Sequence, residues 1–176
     1  MFRRFVLGCA ALVTLSSAAA AQRTARLGIG FNGALPVGTY ADRHRSGPGF
    51  LGAITFAGNE NSILGLRIDG SDTKINGKTV AGGEVPAYNI VSVTGNIVAT
   101  ANGEQFKPYA LAGGGWYTYR DSVTTDKRQN RFGVQGGVGV TFSFILTSAF
   151  LEVRYHRIFE NDMRRRYVAL TAGLVI

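Results

Sequence analysis

The segment AFLEVRYHRIF, residues 149–159, alternates apolar and polar side chains in the way that a β-strand does. The apolar members share one face: Leu151, Val153, Tyr155 and Phe159. The polar members share the other face: Glu152, Arg154 and His156. Ionised groups of both signs in mid-strand need an enclosed polar interior, while the aromatic rings need apolar surroundings. The pattern favours a strand of a membrane-spanning barrel, with lipid outside and compensated charges inside.

The same alternation recurs along the chain. It predicts eight strands, at residues 26–35, 50–57, 62–71, 88–99, 106–119, 131–142, 149–159 and 166–176. The charged connectors 36–48, 72–87, 120–130 and 160–165 alternate with shorter turns, although the last of them is no longer than those turns. We therefore predict an all-β fold, an eight-stranded antiparallel up-and-down transmembrane β-barrel with both termini in the periplasm.

The first 21 residues have the order of a secretory signal peptide. Arg3 and Arg4 precede an apolar run, which ends in small residues and an Ala-x-Ala site before Gln22. Cys9 raises the alternative of a lipoprotein signal, but most of the apolar run follows this cysteine. We predict residues 1–21 as signal peptide and 22–176 as the barrel domain.

Composition restricts the class of protein further. Without residues 1–21 the chain has 155 residues and no cysteine, so barrel closure has to replace disulfides as the stabilising device. The net charge falls from +8 to +6, and no basic run resembles a nucleic-acid site. No apolar stretch of about 18 residues follows residue 21, so we predict no transmembrane helix.

A soluble barrel that binds a small apolar ligand, of the calycin type, is the main alternative fold. In such a barrel the bulky apolar face points inward and water meets the charged face. Here the polar face carries mostly Gly, Ala, Ser and Thr with a few charges, which suits the narrow interior of eight strands. This assignment of the faces favours the membrane barrel.

Several segments carry a family resemblance: GALPVGTY at 33–40, LGLRIDGS at 64–71, KPYALAGGGW at 107–116 and LEVRYH at 151–156. With the signal peptide, they make the chain similar to small outer-membrane β-barrel proteins, the OmpA transmembrane domain and the OmpX-like family. The resemblance implies a location in the outer membrane of a Gram-negative-type envelope and insertion by the barrel-assembly machinery. Such chains commonly end in Phe or Trp, whereas this sequence ends in Ile176.

Four charged residues of the polar faces are singled out as an interior ionic network: Arg67, Asp69, Glu152 and Arg154. Charges removed from water need partners, so we expect a salt-bridged plug. A gated polar path through the barrel is the alternative.

Aromatic side chains near strand ends suggest the girdles that mark the two membrane interfaces. We assign to them Tyr109, Tyr117, Tyr119, Tyr155 and Phe159. For residues 106–119 this puts the tyrosine face outward and Trp116 inward.

No catalytic or metal site is expected. His156 raises the alternative of a lipid A modifying enzyme, but no serine stands two residues after it, and Glu152 lies about 13 Å away along the strand. His44 has no metal-ligand partner at a standard spacing. We predict a non-enzymatic protein without cofactors.

The connectors carry cations that could bind lipopolysaccharide phosphates through charge-assisted hydrogen bonds. The candidates are Arg120, Lys127, Arg128, Arg164 and Arg165. Solvated loop charge is the simpler interpretation. The partners predicted from the sequence are outer-membrane lipid and lipopolysaccharide, with no nucleic acid, and the external partner stays open.

Overall fold

The computed structural model describes residues 24–57, 63–81, 83–121, 128–144, 147–160 and 165–176, so the predicted signal peptide lies outside the described residues. Eight long strands run through them: β1 (Thr24–Pro36), β2 (Gly47–Ala57), β3 (Leu64–Gly77), β4 (Tyr88–Thr100), β5 (Phe106–Asp121), β6 (Gln129–Ser143), β7 (Ser148–Ile158) and β8 (Arg165–Val175).

Each long strand pairs antiparallel with the strand before it and the strand after it, and β1 pairs with β8 to close the cylinder. The predicted eight-stranded antiparallel up-and-down barrel is confirmed. Closure leaves no edge strand among these eight, so every long strand has backbone partners on both sides. No helix in the described part of the chain is long and apolar enough to cross a bilayer.

Side chains alternate between the outer wall and the interior as the sequence predicts on seven of the eight strands. On β7, Leu151 and Val153 are 52% and 45% exposed, whereas Glu152 and Arg154 are each 3% exposed. The outer wall of the barrel therefore carries bulky apolar side chains, and the charged side chains of β7 lie in the interior.

Strand β5 is the exception, because its two faces are exchanged relative to the prediction. Tyr109, Tyr117 and Tyr119 are buried inside the barrel, and Trp116 is 67% exposed on the outer wall. The assignment of these three tyrosines to an aromatic girdle is wrong.

The inward orientation of the tyrosines has two physical causes. Two of their hydroxyls have polar partners in the interior: that of Tyr109 donates to the carboxylate of Glu152 at 2.9 Å, and that of Tyr117 lies 3.0 Å from Nδ1 of His156. Glycines on the neighbouring strand β6 leave room for the rings: a methyl group at Gly139 would lie 2.5 Å from the ring of Tyr109, and one at Gly133 would lie 2.7 Å from the ring of Tyr117.

Two predicted connectors are more regular than expected. Strand β3 continues to Gly77, because its residues beyond position 71 still alternate between the interior and solvent. The connector after β1 contains a short helix, α1 (Thr39–Arg43), and a two-residue strand, His44–Arg45, which pairs with the end of β3. The strands thus extend past the apolar part of the wall and form a rim around the loop end of the barrel. A small hairpin, Thr79–Val80 with Gly83–Glu84, follows β3.

Candidate functional site: the interior of the barrel and its two ends

The four predicted network residues meet in the middle of the lumen as a ring of alternating charges. Arg67 donates from Nε to Asp69 at 2.6 Å and from Nη1 to Glu152 at 2.9 Å. Arg154 donates from Nη1 to Asp69 at 2.7 Å and from Nη2 to the second oxygen of Glu152. Each guanidinium therefore bridges both carboxylates, and the ring as a whole is neutral.

The ring forms because of strand geometry. Residues two apart on a strand point to the same side, so β3 supplies Arg67 with Asp69 and β7 supplies Glu152 with Arg154. These strands are four apart around the closed sheet and face each other across the lumen. The ion pairs thus connect opposite walls of the barrel.

Neutral polar side chains of β4 and β6 extend the hydrogen bonds of the ring. Asn96 donates to Asp69 at 2.8 Å, and Gln135 donates to Asn96 at 2.7 Å and to Thr94 at 2.8 Å. Asn96 thus adds a hydrogen bond to Asp69, and Tyr109 adds one to Glu152, and these bonds offset part of the desolvation cost of the buried charges.

The loop end of the lumen is filled by a mostly apolar cluster. Its buried members include Ile75, Ile90, Tyr117, Tyr167 and Ile158. Between this cluster and the ring, the structure leaves a void of only about 10 Å³, which is on the scale of one water molecule.

Helix α1 covers this cluster from the loop side. Its Tyr40 is buried, and the ring of His44 lies 4.2 Å from that of Tyr40 and 5.6 Å from that of Tyr88. Burial raises the pKa of Tyr40 to about 12 and lowers the pKa of His44 below its usual value. Both side chains are therefore neutral in the folded protein near pH 7.

Arg165 is not a free surface cation as predicted, because it is 8% exposed and lies inside the loop end. Its guanidinium carbon lies 4.7 Å and 4.3 Å from the ring centres of Tyr88 and Tyr119, and its Nε donates to Glu160 at 2.8 Å. Aromatic faces and a carboxylate attract the cation inward, so its assignment as a lipopolysaccharide contact is wrong.

The other predicted loop cations divide into two groups. Arg120 and Arg128 are exposed at the loop end of the barrel. Lys127 and Arg164 lie outside the described residues.

On the outer wall, Tyr155 and Phe159 are exposed near the loop end, on the face that the sequence predicts. Two cross-strand aromatic pairs that the sequence reasoning missed define the wall more sharply. Trp116 is the register partner of Phe132, and Phe106 is the register partner of Phe142.

The two pairs are ten residues apart on both strands, which is about 33 Å at roughly 3.3 Å per residue. With a strand tilt of about 40°, this corresponds to about 25 Å along the barrel axis, the height of the apolar band of an outer-membrane barrel. The sequence did contain a signal for which face of β5 points outward. Phe106 and Trp116 lie at the two ends of one face, and the charged Lys107 shares the opposite face with the tyrosines.

His156 lies at the border between the ring and the apolar cluster. Its ring stacks on Tyr167 at 4.4 Å, and its Nδ1 is 3.0 Å from the hydroxyl of Tyr117. Among the described residues, no group of three or more His, Cys, Asp or Glu side chains could hold a metal ion.

A closed eight-stranded antiparallel barrel with an apolar outer wall, a buried ring of ion pairs and aromatic pairs at both ends of the wall defines the fold class of small outer-membrane barrels. No family model and no curated protein matches the sequence. Several solved structures do match.

The chain is similar to Neisserial surface protein A, with a TM-score of 0.65 and 15% identity over 88% of this chain and 97% of that one. It is similar to the N-terminal β-barrel domain of Pseudomonas aeruginosa OprF, with a TM-score of 0.52 and 14% identity over 88% and 100% of the two chains. Ail, the attachment invasion locus protein of Yersinia pestis, matches with a TM-score of 0.52 and 17% identity over 88% and 99%. Ail has also been solved in a phospholipid bilayer nanodisc and with the heparin analogue sucrose octasulfate. At these identities the likeness shows the fold.

Proposed function

We propose that this protein is a non-enzymatic integral protein of the outer membrane, with the barrel as its anchor and the loop end as its interacting part. The observation that carries the proposal is the distribution of side chains between the two faces of the sheet. Large apolar residues such as Phe31, Leu66 and Val138 are at least 60% exposed on the outer wall, while the ion ring is enclosed. In water this wall would be a continuous apolar surface of a size that soluble monomers rarely expose.

Membrane fractionation tests this proposal. We expect the protein to stay with the outer-membrane fraction through a carbonate wash, and to migrate differently in boiled and unboiled samples on a denaturing gel. Release of the native protein into the soluble fraction would contradict the proposal and would favour the soluble ligand-binding barrel.

The orientation is part of the proposal. An even number of strands places both ends of the barrel domain on one side, and the rim, α1 and the exposed Arg120 and Arg128 lie at the other end. We place the rim outside the cell and the turns between paired strands in the periplasm, as in barrels with short periplasmic turns and longer external loops. Insertion by the barrel-assembly machinery, after export by a cleavable signal peptide, completes this route.

Contact with lipopolysaccharide follows from this orientation. Arg120 and Arg128 would meet the phosphates of the outer leaflet through charge-assisted hydrogen bonds, together with the predicted Lys127 and Arg164. Binding of the barrel to vesicles with and without lipopolysaccharide measures the contribution of the two described arginines.

We expect the double substitution Arg120→Gln/Arg128→Gln to weaken the preference for lipopolysaccharide vesicles. The matched control is Arg26→Gln/Lys107→Gln, which removes the same charge from inward-facing positions at the other end of the barrel. Equal preference in both double variants would contradict a role for Arg120 and Arg128.

The non-enzymatic part of the proposal is tested on the lipid. We expect the mass spectrum of lipid A to be the same in cells with and without the protein. A mass change that depends on His156 would contradict this expectation and would favour a lipid A modifying enzyme.

A further inference from the structure

The lumen opens at the turn end into a cavity of about 670 Å³, on the opposite side of the ion ring from the apolar cluster. This cavity lies beside the turns, because its lining includes Thr100, Ser143 and Thr147. Apolar side chains such as Phe150 form part of its wall, and Arg67 is the member of the ion ring that reaches it.

Arg67, the ring member that lines this cavity, has one donor group without a hydrogen bond. Its Nε and Nη1 are used by Asp69 and Glu152, but its Nη2 is buried without a hydrogen-bond partner among the described residues. The whole side chain is only 7% exposed. A buried charged donor without an acceptor costs free energy, so an acceptor oxygen on a molecule in the cavity would stabilise Nη2.

The cavity has an excess of positive charge. Arg26 and Lys107 line it, and neither forms a salt bridge within the described residues, where no Asp or Glu side chain lines the cavity either. The ion ring does not compensate them, because its two arginines are already balanced by its two carboxylates. These two cations outnumber the single α-carboxylate that Ile176 adds to the lining, and in a narrow opening with low-dielectric walls they leave a positive potential on the space between them.

We propose that this cavity is a binding site for a phosphate group, which accepts a hydrogen bond from Nη2 of Arg67 and is attracted by Arg26 and Lys107. Guanidinium groups suit the oxygens of phosphate in geometry as well as in charge. The cavity is much larger than a phosphate ion, so it has space for the rest of a phosphate ester. Inorganic phosphate and the head group of a phospholipid present the same chemistry here.

The test is a titration of inorganic phosphate into the full barrel in neutral maltoside micelles, with the ionic strength kept constant by chloride. The NMR signal of Nε–Hε of Arg67 reports on the site, and the variant Arg67→Lys assigns it. We expect a saturable shift of this signal. Arg26→Gln/Lys107→Gln should weaken phosphate binding at least tenfold, and Arg43→Gln/Arg45→Gln, which removes the same charge from exposed positions at the loop end, should change it less than twofold.

The absence of a saturable shift would overturn the proposal, and so would equal weakening in the two double variants, which would indicate a general effect of net charge. Heat-modifiable migration of both variants shows that each is folded.

The source of the phosphate is then decided in phosphatidylglycerol nanodiscs. An Arg67 signal that already lies at its phosphate-saturated position supports occupation by a lipid head group. If added inorganic phosphate still shifts the Arg67 signal, the result supports occupation by the free ion. A signal that stays at its phosphate-free position throughout overturns the proposal.

Discussion

The substitution Glu152→Gln tests whether the ion ring is a cooperative unit. Glu152 accepts from Arg67 at 2.9 Å, from Arg154, and from the hydroxyl of Tyr109 at 2.9 Å. Glutamine has nearly the same shape but no charge. The variant therefore leaves two guanidinium groups enclosed with the single carboxylate of Asp69.

The magnitude follows from the number and kind of these contacts. Hydrogen bonds to charged groups contribute about 1.5–3 kcal/mol each, and removal of one partner from a buried ion pair costs about 3–5 kcal/mol. Because the amide oxygen of glutamine still accepts one hydrogen bond, we expect a loss of about 3 kcal/mol in the free energy of unfolding.

The double variant Glu152→Gln/Arg154→Gln removes one charge of each sign and leaves the pair of Arg67 with Asp69 intact and neutral. Its cost should be smaller than the sum of the two single costs by about 1–3 kcal/mol. Glu104→Gln, at an exposed position in a turn, is the control and should change stability by less than about 0.5 kcal/mol.

Urea unfolding in phosphatidylcholine vesicles measures these free energies, with fluorescence from Trp116, the single tryptophan of the chain. A cost below about 1 kcal/mol for Glu152→Gln, or a double variant whose cost equals the sum, would refute the reasoning that the four charges depend on one another.

Further predictions concern the wall, the packing and the loop end. Val153→Arg should cost about 2–4 kcal/mol if the residue lies near the middle of the bilayer, and urea unfolding that shows no loss would contradict its lipid-facing position. Gly139→Val places a side chain where the ring of Tyr109 lies, and should cost about 1–3 kcal/mol in the same measurement. The unfolded chain protonates His44 near pH 6.5 whereas the folded protein holds it neutral, so amide protection of α1 should be constant above that pH and fall below it. The variant His44→Gln should lose this dependence in hydrogen exchange. Fluorescence of Trp116 should be quenched by brominated lipid, and emission typical of a water-exposed or barrel-enclosed indole would contradict its place on the outer wall.

The alternation of residue types predicted the fold because most strands carry residues that tolerate only one face. On β7, Glu152 and Arg154 cannot face hydrocarbon, and the register of the whole strand follows from that single constraint. Strand β5 lacked such a constraint over most of its length, since tyrosine fits both a membrane interface and a polar interior. The deciding information is non-local: Gly139 on β6 leaves room for Tyr109, and Glu152 on β7 accepts a hydrogen bond from its hydroxyl.

The loop end shows a second limit of reasoning from sequence. Helix α1 has five residues and no side-chain cap, so its own residues give little preference for a helix. Its position is determined by what lies beneath it. The strands rise past the apolar band, and the interior there is filled by Ile75 and Ile90, both completely buried, which would meet water without the cover of Tyr40. The burial of a side chain from the connector thus fixes the connector against the interior of the barrel. Local propensity could not predict this position, because the residues that hold the connector lie on β3 and β4, far from it in the chain.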